Sequence, residues 1–318
     1  MKNDTVSGHM FELCWVHHLK FIIAIILVSL TLNADMRDYK ITPEIKIDKN
    51  IHIKILDAKQ LDFADVHELS ALAYRNQELY ALSDKGVLYL FNCIIKDDKI
   101  QGITLREHYI LRNKKLQEFK KKKSDSEGLA FYKKGFLISF ERKNRVLQCS
   151  RKGVKIKKMP LNNILKDNEN YQSPNKGLES VAYSKIYGLI TIPELPLKNK
   201  NSNYHRLYGE HQVWKFQAKG AVTDIEFIDT THLLILLREY NYFNNRHITS
   251  LVEVNLEQCN TESVCQNRVL AILDSARGWH IDNFEGVTKV GKNRFLMVSD
   301  DNDSIFQKTL LVLFEIKS

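Results

Sequence analysis

The chain has 318 residues, 44% hydrophobic and 27% charged, with only 13 glycines and 5 prolines. This composition excludes a disordered, collagenous or low-complexity chain and supplies ample material for a packed core. The formal charge of +9 raises the question of nucleic acid. The lysines, however, are scattered or grouped in loops such as 120–123, and no recognition helix or RNP-like aromatic pattern accompanies them, so no nucleic-acid partner is expected. That lysine run reads as a solvated loop that helps attract anionic substrates.

The first segment reads as an export signal. Phe21 to Leu32 is an unbroken, mainly apolar run after Lys20, ending at Leu32-Asn33-Ala34 before the polar Asp35. A basic flank, a short apolar stretch and a small residue at the cut position make a secretion signal. The run is shorter than the roughly 20 apolar residues a membrane span needs. A retained signal anchor is the alternative. Residues 1–34 are thus assigned to the signal and 35–318 to one domain. The mature chain is expected to be periplasmic or secreted, monomeric and without stable membrane insertion.

Five copies of one short phrase follow: Ser70-Ala-Leu-Ala-Tyr74, Glu127-Gly-Leu-Ala-Phe131, Glu179-Ser-Val-Ala-Tyr183, Thr223-Asp-Ile-Glu-Phe227 and Glu285-Gly-Val-Thr-Lys289. After a turn, each leads into a more apolar run: Leu79–Asp84, Phe136–Glu141, Leu189–Glu194, Leu233–Arg238 and Phe295–Asp300. The copies are 44 to 62 residues apart. Strand pairs repeating at such intervals predict an all-β propeller. Two more strands follow each of the first four pairs, from Val87–Phe91 and Ile103–Ile110 in the first blade to Thr249–Asn255 and Arg268–Leu273 in the fourth. The last pair has only Lys308–Ile316. The orphan strand Ile51–Leu56 supplies the missing one and closes the ring, which removes an open edge. Five blades use every strong strand signal once; six is the alternative.

Four cysteines lie beyond the signal. Cys259 and Cys265 flank a short polar loop between two predicted strands, a spacing that suits a disulfide in an oxidising compartment. Cys93 and Cys149 read as small buried hydrophobes.

In a propeller the first strand of each blade lines the channel and the second runs back. The start of the first and the end of the second therefore share one mouth. That places Glu127, Glu179 and Glu285 beside Asp84, Glu141, Glu194 and Asp300, with Arg142 and Arg238 among them. Buried like charges repel unless they are paired or bind a cation, and an oxygen-rich ring suits Ca²⁺ or Mg²⁺. We take those seven acids as candidate metal ligands for Ca²⁺, and Arg142 and Arg238 as candidate clamps on a phosphate or carboxylate group. Glu179 and His280, the latter within Gly278–Gly286, are the candidate catalytic groups. Each acid taken singly also reads as an architectural pin that accepts backbone N–H bonds, and His280 beside Trp279 also reads as a packed loop residue.

Several phrases are similar to a known family. Glu68-Leu-Ser-Ala-Leu-Ala-Tyr74 with Leu79–Gly86, Asp125-Ser-Glu-Gly-Leu-Ala-Phe131, Gly177-Leu-Glu-Ser-Val-Ala-Tyr183, Asp282-Asn-Phe-Glu-Gly-Val-Thr288 and Val298-Ser-Asp-Asp-Asn302 resemble the phytase-like family, "esterase-like activity of phytase". The resemblance implies a secreted β-propeller and a phosphoric ester hydrolase acting on a phosphorylated small molecule. Two departures stand out. The fourth repeat begins with Thr223, and the third pair ends in Pro193-Glu194 without the Ser-Asp of other copies. A non-catalytic propeller that binds a small ligand, glycan or protein at the same mouth is the competing reading.

Overall fold

A computed structural model describes residues 36–44, 51–304 and 307–317. The segment read as an export signal lies outside the described residues. Twenty-one strands form five antiparallel sheets around one axis. Blade 1 is β3 (Leu69–Arg75), β4 (Glu78–Ser83), β5 (Val87–Lys96) and β6 (Lys99–Ile110). Blade 2 is β7 (Ser126–Tyr132), β8 (Gly135–Phe140), β9 (Arg145–Ser150) and β10 (Lys155–Lys158). Blade 3 is β11 (Leu178–Ser184), β12 (Gly188–Pro193), β13 (His205–Tyr208) and β14 (Val213–Phe216). Blade 4 is β15 (Ala221–Phe227), β16 (His232–Asn241), β17 (Arg246–Cys259) and β18 (Cys265–Asp274). Blade 5 is β19 (Asn283–Gly291), β20 (Arg294–Asp300) and β21 (Thr309–Ile316), completed by β2 (Ile53–Leu61) and edged by β1 (Met36–Asp38).

The blade count is five, which settles the alternative of six. Closure comes from the N-terminal side as the orphan strand required. Residues Ile53 to Leu61 run antiparallel to β21 from Ile53↔Ile316 to Leu61↔Thr309. The strand reaches further than its alternating core suggests, and a three-residue strand with no apolar pattern, β1, covers its outer edge through Met36↔Leu61. Among the described residues no helix is long and apolar enough to cross a membrane.

The middle of each blade's second strand is mainly apolar because both its faces are covered. Residues of β8 are all buried, and those of β20 nearly so. Five hydrophobic clusters fill the spaces between neighbouring blades, for example Tyr80, Leu82, Phe136 and Phe140 between blades 1 and 2, and Leu236, Leu251, Phe284 and Met297 between blades 4 and 5. The sheets thus pack face to face as wedges, each aliphatic face burying apolar area against the next. Cys259 and Cys265 are bonded to each other across the β17–β18 hairpin, where they are register partners, while Cys93 and Cys149 are free and buried.

The innermost strands share one irregularity. Each has a register break near its start, between Leu69 and Ala71, Ser126 and Leu129, Leu178 and Ser180, Val222 and Asp224, and Phe284 and Gly286. The residues passed over include Ser70, Glu127, Glu179, Thr223 and Glu285, the opening residue of every repeat. A bulge re-aims a side chain and tightens the local twist. The residue after it faces the adjacent innermost strand at close range. A Cβ on Gly128 would lie 2.6 Å from Ser180 Cα, and one on Gly286 2.8 Å from Ala71 Cα.

Two outcomes follow from this packing. Gly286→Ala presses a methyl group onto the backbone of the next blade, so it should cost about 1–3 kcal/mol, read as a lowered midpoint in chemical denaturation. Removing residues 36–61 strips blade 5 of its outer strands and opens the ring. A truncated chain that still melted in one sharp transition in calorimetry would show that closure lies elsewhere.

Candidate functional site

The bulges turn the opening residues toward one end of the channel, and the ends of the second strands return to the same level. The result is a cavity of about 210 Å³ lined by Asp84, Glu127, Glu141, Glu179, Glu194, Glu285 and Asp300, with Arg142 and Arg238 on its wall. All seven acids and both arginines proposed from the repeat are therefore in one place. The opening residue Ser70 also lines it.

Two overlapping triads have carboxylate oxygens all within 4.8 Å of one another: Asp125, Glu127 and Glu141, and Glu141, Glu179 and Glu194. Glu141, Glu179 and Glu194 are buried and Glu127 half-buried. Glu141 has one anchor, the Gly177 N–H donating to Oε1 at 3.1 Å. Among the described residues the side-chain carboxyl of neither Glu127 nor Glu179 accepts a hydrogen bond. Burial, then the surrounding carboxylates, pushes both well above the ordinary glutamate range. Burial also raises Glu141 to about 7, Asp84 to about 6 and Asp300 to about 8. Asp84 Oδ1 is buried without a hydrogen-bond partner.

The opposite side of the mouth is neutralised. Arg238 Nη1 lies 2.6 Å from Glu285 Oε1 and Nη2 lies 3.5 Å from Glu194 Oε1. Its Nη1 also donates to Asn283 Oδ1 at 2.6 Å, and Asn283 Nδ2 donates to Glu285 Oε1 at 2.7 Å. Lys176 Nζ pairs with Glu194 at 2.7 Å. Burial opposes the Arg238 charge, but Glu285, Glu194 and Glu179 outweigh it and push its pKa up. Arg142 sits exposed on the rim, paired through Nε with Asp125.

His280 is not part of the carboxylate ring. It is exposed on the wall of a neighbouring cavity of about 830 Å³, which shares Lys176, Glu194, Arg238 and Asn302 with the ring. Its backbone N–H donates to Ile41 O at 3.0 Å. Asp301, next to Asp300, is a pin: it accepts from Glu68 N–H at 3.1 Å and Thr309 Oγ1 at 3.0 Å. Asp224 is another, taking the Val287 N–H at 2.7 Å and the Ser180 hydroxyl.

Sequence reasoning missed Asp125, Lys176 and Asn283 as site residues. Asp125 lies two positions before a repeat opening, the one local signal available. Lys176 enters from a loop, and Asn283 lies two positions before the fifth phrase.

Fold and site together define a five-bladed propeller with an acid-lined channel mouth. The model of the family described as phytase-like, esterase-like activity of phytase, matches residues 64–303, and the chain belongs to that family. Among solved structures, the glutaminyl cyclase of Myxococcus xanthus is similar at 9% identity, covering 84% of this chain and 97% of that one with a TM-score of 0.47. No curated protein matches the chain.

The raised carboxyls set the pH response of the cation-free protein. Their folded pKa values, about 6, 7 and 8 for Asp84, Glu141 and Asp300, exceed the unfolded values near 4. The folded state therefore holds more protons, and stability falls as pH rises through that window. In EDTA the melting temperature should drop steadily between about pH 4 and 8. A flat or rising profile would mean that the acids are neutralised by other means.

Proposed function

We propose that the acid mouth binds a divalent cation, with Ca²⁺ the best match, and that the chain is a periplasmic or secreted hydrolase of phosphoric esters. The observation that carries this reading is the buried triad Glu141, Glu179 and Glu194, whose oxygens lie within 4.8 Å of one another. Only one of its three members is neutralised by cationic side chains. The donor set consists of carboxylate oxygens without thiol or imidazole, which suits a hard cation. Asp125, Glu127, Glu141, Glu179 and Glu194 would hold it, with Asp84, Glu285 and Asp300 completing the wall. When bound, such an ion neutralises phosphoryl charge and lowers the pKa of a coordinated water.

The chain's own groups have separable roles. Arg142, exposed on the rim, is free to turn from Asp125 to an arriving phosphoryl oxygen, a geometry its planar guanidinium suits. Arg238 is held by Glu194 and Glu285, so it serves first to fix those two acids and second as a clamp. Glu179 has its pKa raised by burial and neighbouring acids, which lets it hold a proton in the cation-free site. His280 faces a ligand large enough to fill both cavities and would exchange protons with its leaving group there.

A non-catalytic binding propeller is the second reading. Its support is the neutralised half of the mouth, where Glu194 and Glu285 already have cationic partners.

Ca²⁺ should raise the melting temperature, with about 2.7 kcal/mol of added stability at a hundredfold excess over Kd. Glu179→Gln should keep its fold and respond less. The rise should be larger at pH 8 than at pH 5, because Ca²⁺ must displace protons from raised carboxyls. No shift in either protein removes the cation site. A cation response without turnover of any phosphate ester in a broad panel leaves the binding propeller.

A further inference from the structure

The positive charge of this chain is concentrated. Residues 111–124 and 143–158 hold 14 of its 47 lysines and arginines and one of its 38 acids, so the remainder carries −4 where the whole carries +9. These two segments, separated in sequence, meet on blade 2. Arg112 N–H donates to Gly153 O at 3.1 Å and Lys155 N–H to Arg112 O at 2.8 Å, laying the 111–124 strap along the start of β10.

Between strap and blade lies a cavity of about 680 Å³, lined by Lys120, Lys123, Lys143 and Lys155 over a floor of Phe119 and Leu147. Arg145 also lines it, but its role is to build the floor. Its guanidinium lies 4.0 Å from the Phe140 ring centroid and 5.6 Å from that of Phe119. Its Nη1 donates to Lys143 O at 2.8 Å and its Nη2 to Lys123 O. The one acid on the wall, Glu118, is taken by Arg112 at 3.7 Å. Among the described residues the four lysines meet no carboxylate. Four like charges around one concavity repel, and an anion placed among them removes that repulsion.

We propose that this cavity is a second ligand site, distinct from the acid mouth, for a soluble small molecule carrying two or more phosphoryl groups. Four unpaired ammonium groups balance two doubly charged phosphoryl groups. Lysines act as point charges that suit phosphate without demanding one orientation. The open cavity is large enough for a small molecule, and the apolar floor accepts the part that joins the phosphoryl groups.

The test is calorimetric titration of the full chain with inorganic pyrophosphate, in EDTA so that no cation at the mouth contributes. The wild type should bind, more weakly as salt rises. Lys143→Ala and Lys155→Ala, one on each side of the cavity, should each weaken binding about fivefold, the worth of one unit charge at contact in water. Replacing all four lysines should abolish binding without lowering the melting temperature, since it removes their mutual repulsion. Glu179→Gln should bind pyrophosphate as the wild type does, so failure here is separable from failure of the mouth as a cation site. Absence of binding by the wild type at low salt overturns the proposal, as does equal binding by the single variants. Co-sedimentation with phosphatidylglycerol vesicles that pyrophosphate fails to compete away would assign the lysines to a membrane surface instead, and overturns it too.

Discussion

The close approach of the five innermost strands is the constraint on which the rest depends. Each strand breaks register near its start, and the next residue is pressed toward the neighbouring strand. That next residue is Ala71, Gly128, Ser180, Asp224 or Gly286. Four of them are small, as the spacing requires. Asp224 is the exception, and its carboxylate is absorbed by hydrogen bonds: the Ser180 hydroxyl and the N–H groups of Ile225 and Val287 all donate to it. One aspartate thus ties blades 3, 4 and 5 together at the axis. The same bulge that brings the strands together turns Glu127, Glu179 and Glu285 into the channel mouth, so packing and site share one cause.

A fivefold ring of acids at such burial would be self-defeating, since like charges in a poorly solvated space each lose more than they gain. The fourth repeat resolves this by departing from the pattern. It opens with Thr223, whose hydroxyl donates to the Phe284 carbonyl at 3.2 Å, and its second strand carries Arg238 where the other repeats have an acid. That arginine lies between Glu194 and Glu285, from the blades on either side. What reads in sequence as a weakening of the repeat is in space the counter-charge for it. The neutralised half of the mouth then leaves the other half, around Glu127, Glu141 and Glu179, as the region whose carboxyls lack a cationic partner and hold protons instead.

Much of this was legible because period and position carry it. The apolar second strands, the five openings and the orphan closing strand follow from alternation and from edge satisfaction, and they placed seven acids and two arginines correctly in one cavity. Other features have no such signal. β1 has a single apolar residue in three and exists because an edge beside β2 was free to pair. Asp125 precedes its strand, and its approach to Glu141 depends on a bulge that spacing alone does not locate. His280 is close to Glu285 in sequence, but the short helical turn at Ser275–Arg277 and the left-handed Gly278 carry it to the neighbouring cavity. The basic cavity was hidden for a different reason. Its lysines come from two segments on either side of β7 and β8, which the strap's backbone bonds to Gly153 and Lys155 and the Arg145 contacts to Lys123 and Phe119 bring together.

Blade 2 therefore carries both extremes of charge. Asp125, Glu127 and Glu141 face the channel, while Lys120, Lys123, Lys143 and Lys155 face the outer cavity. Asp125 and Lys123 are two residues apart, and Arg142 and Arg145 stand between the two fields, one paired with Asp125 and the other stacked on Phe140. An anion approaching this face would meet ammonium groups at the outer cavity and carboxyls at the mouth. Under the two proposals the mouth would take a cation and the outer cavity an anion. On the proposed readings a phosphorylated ligand would have two distinct places, the mouth shared by the blades and the outer cavity of blade 2.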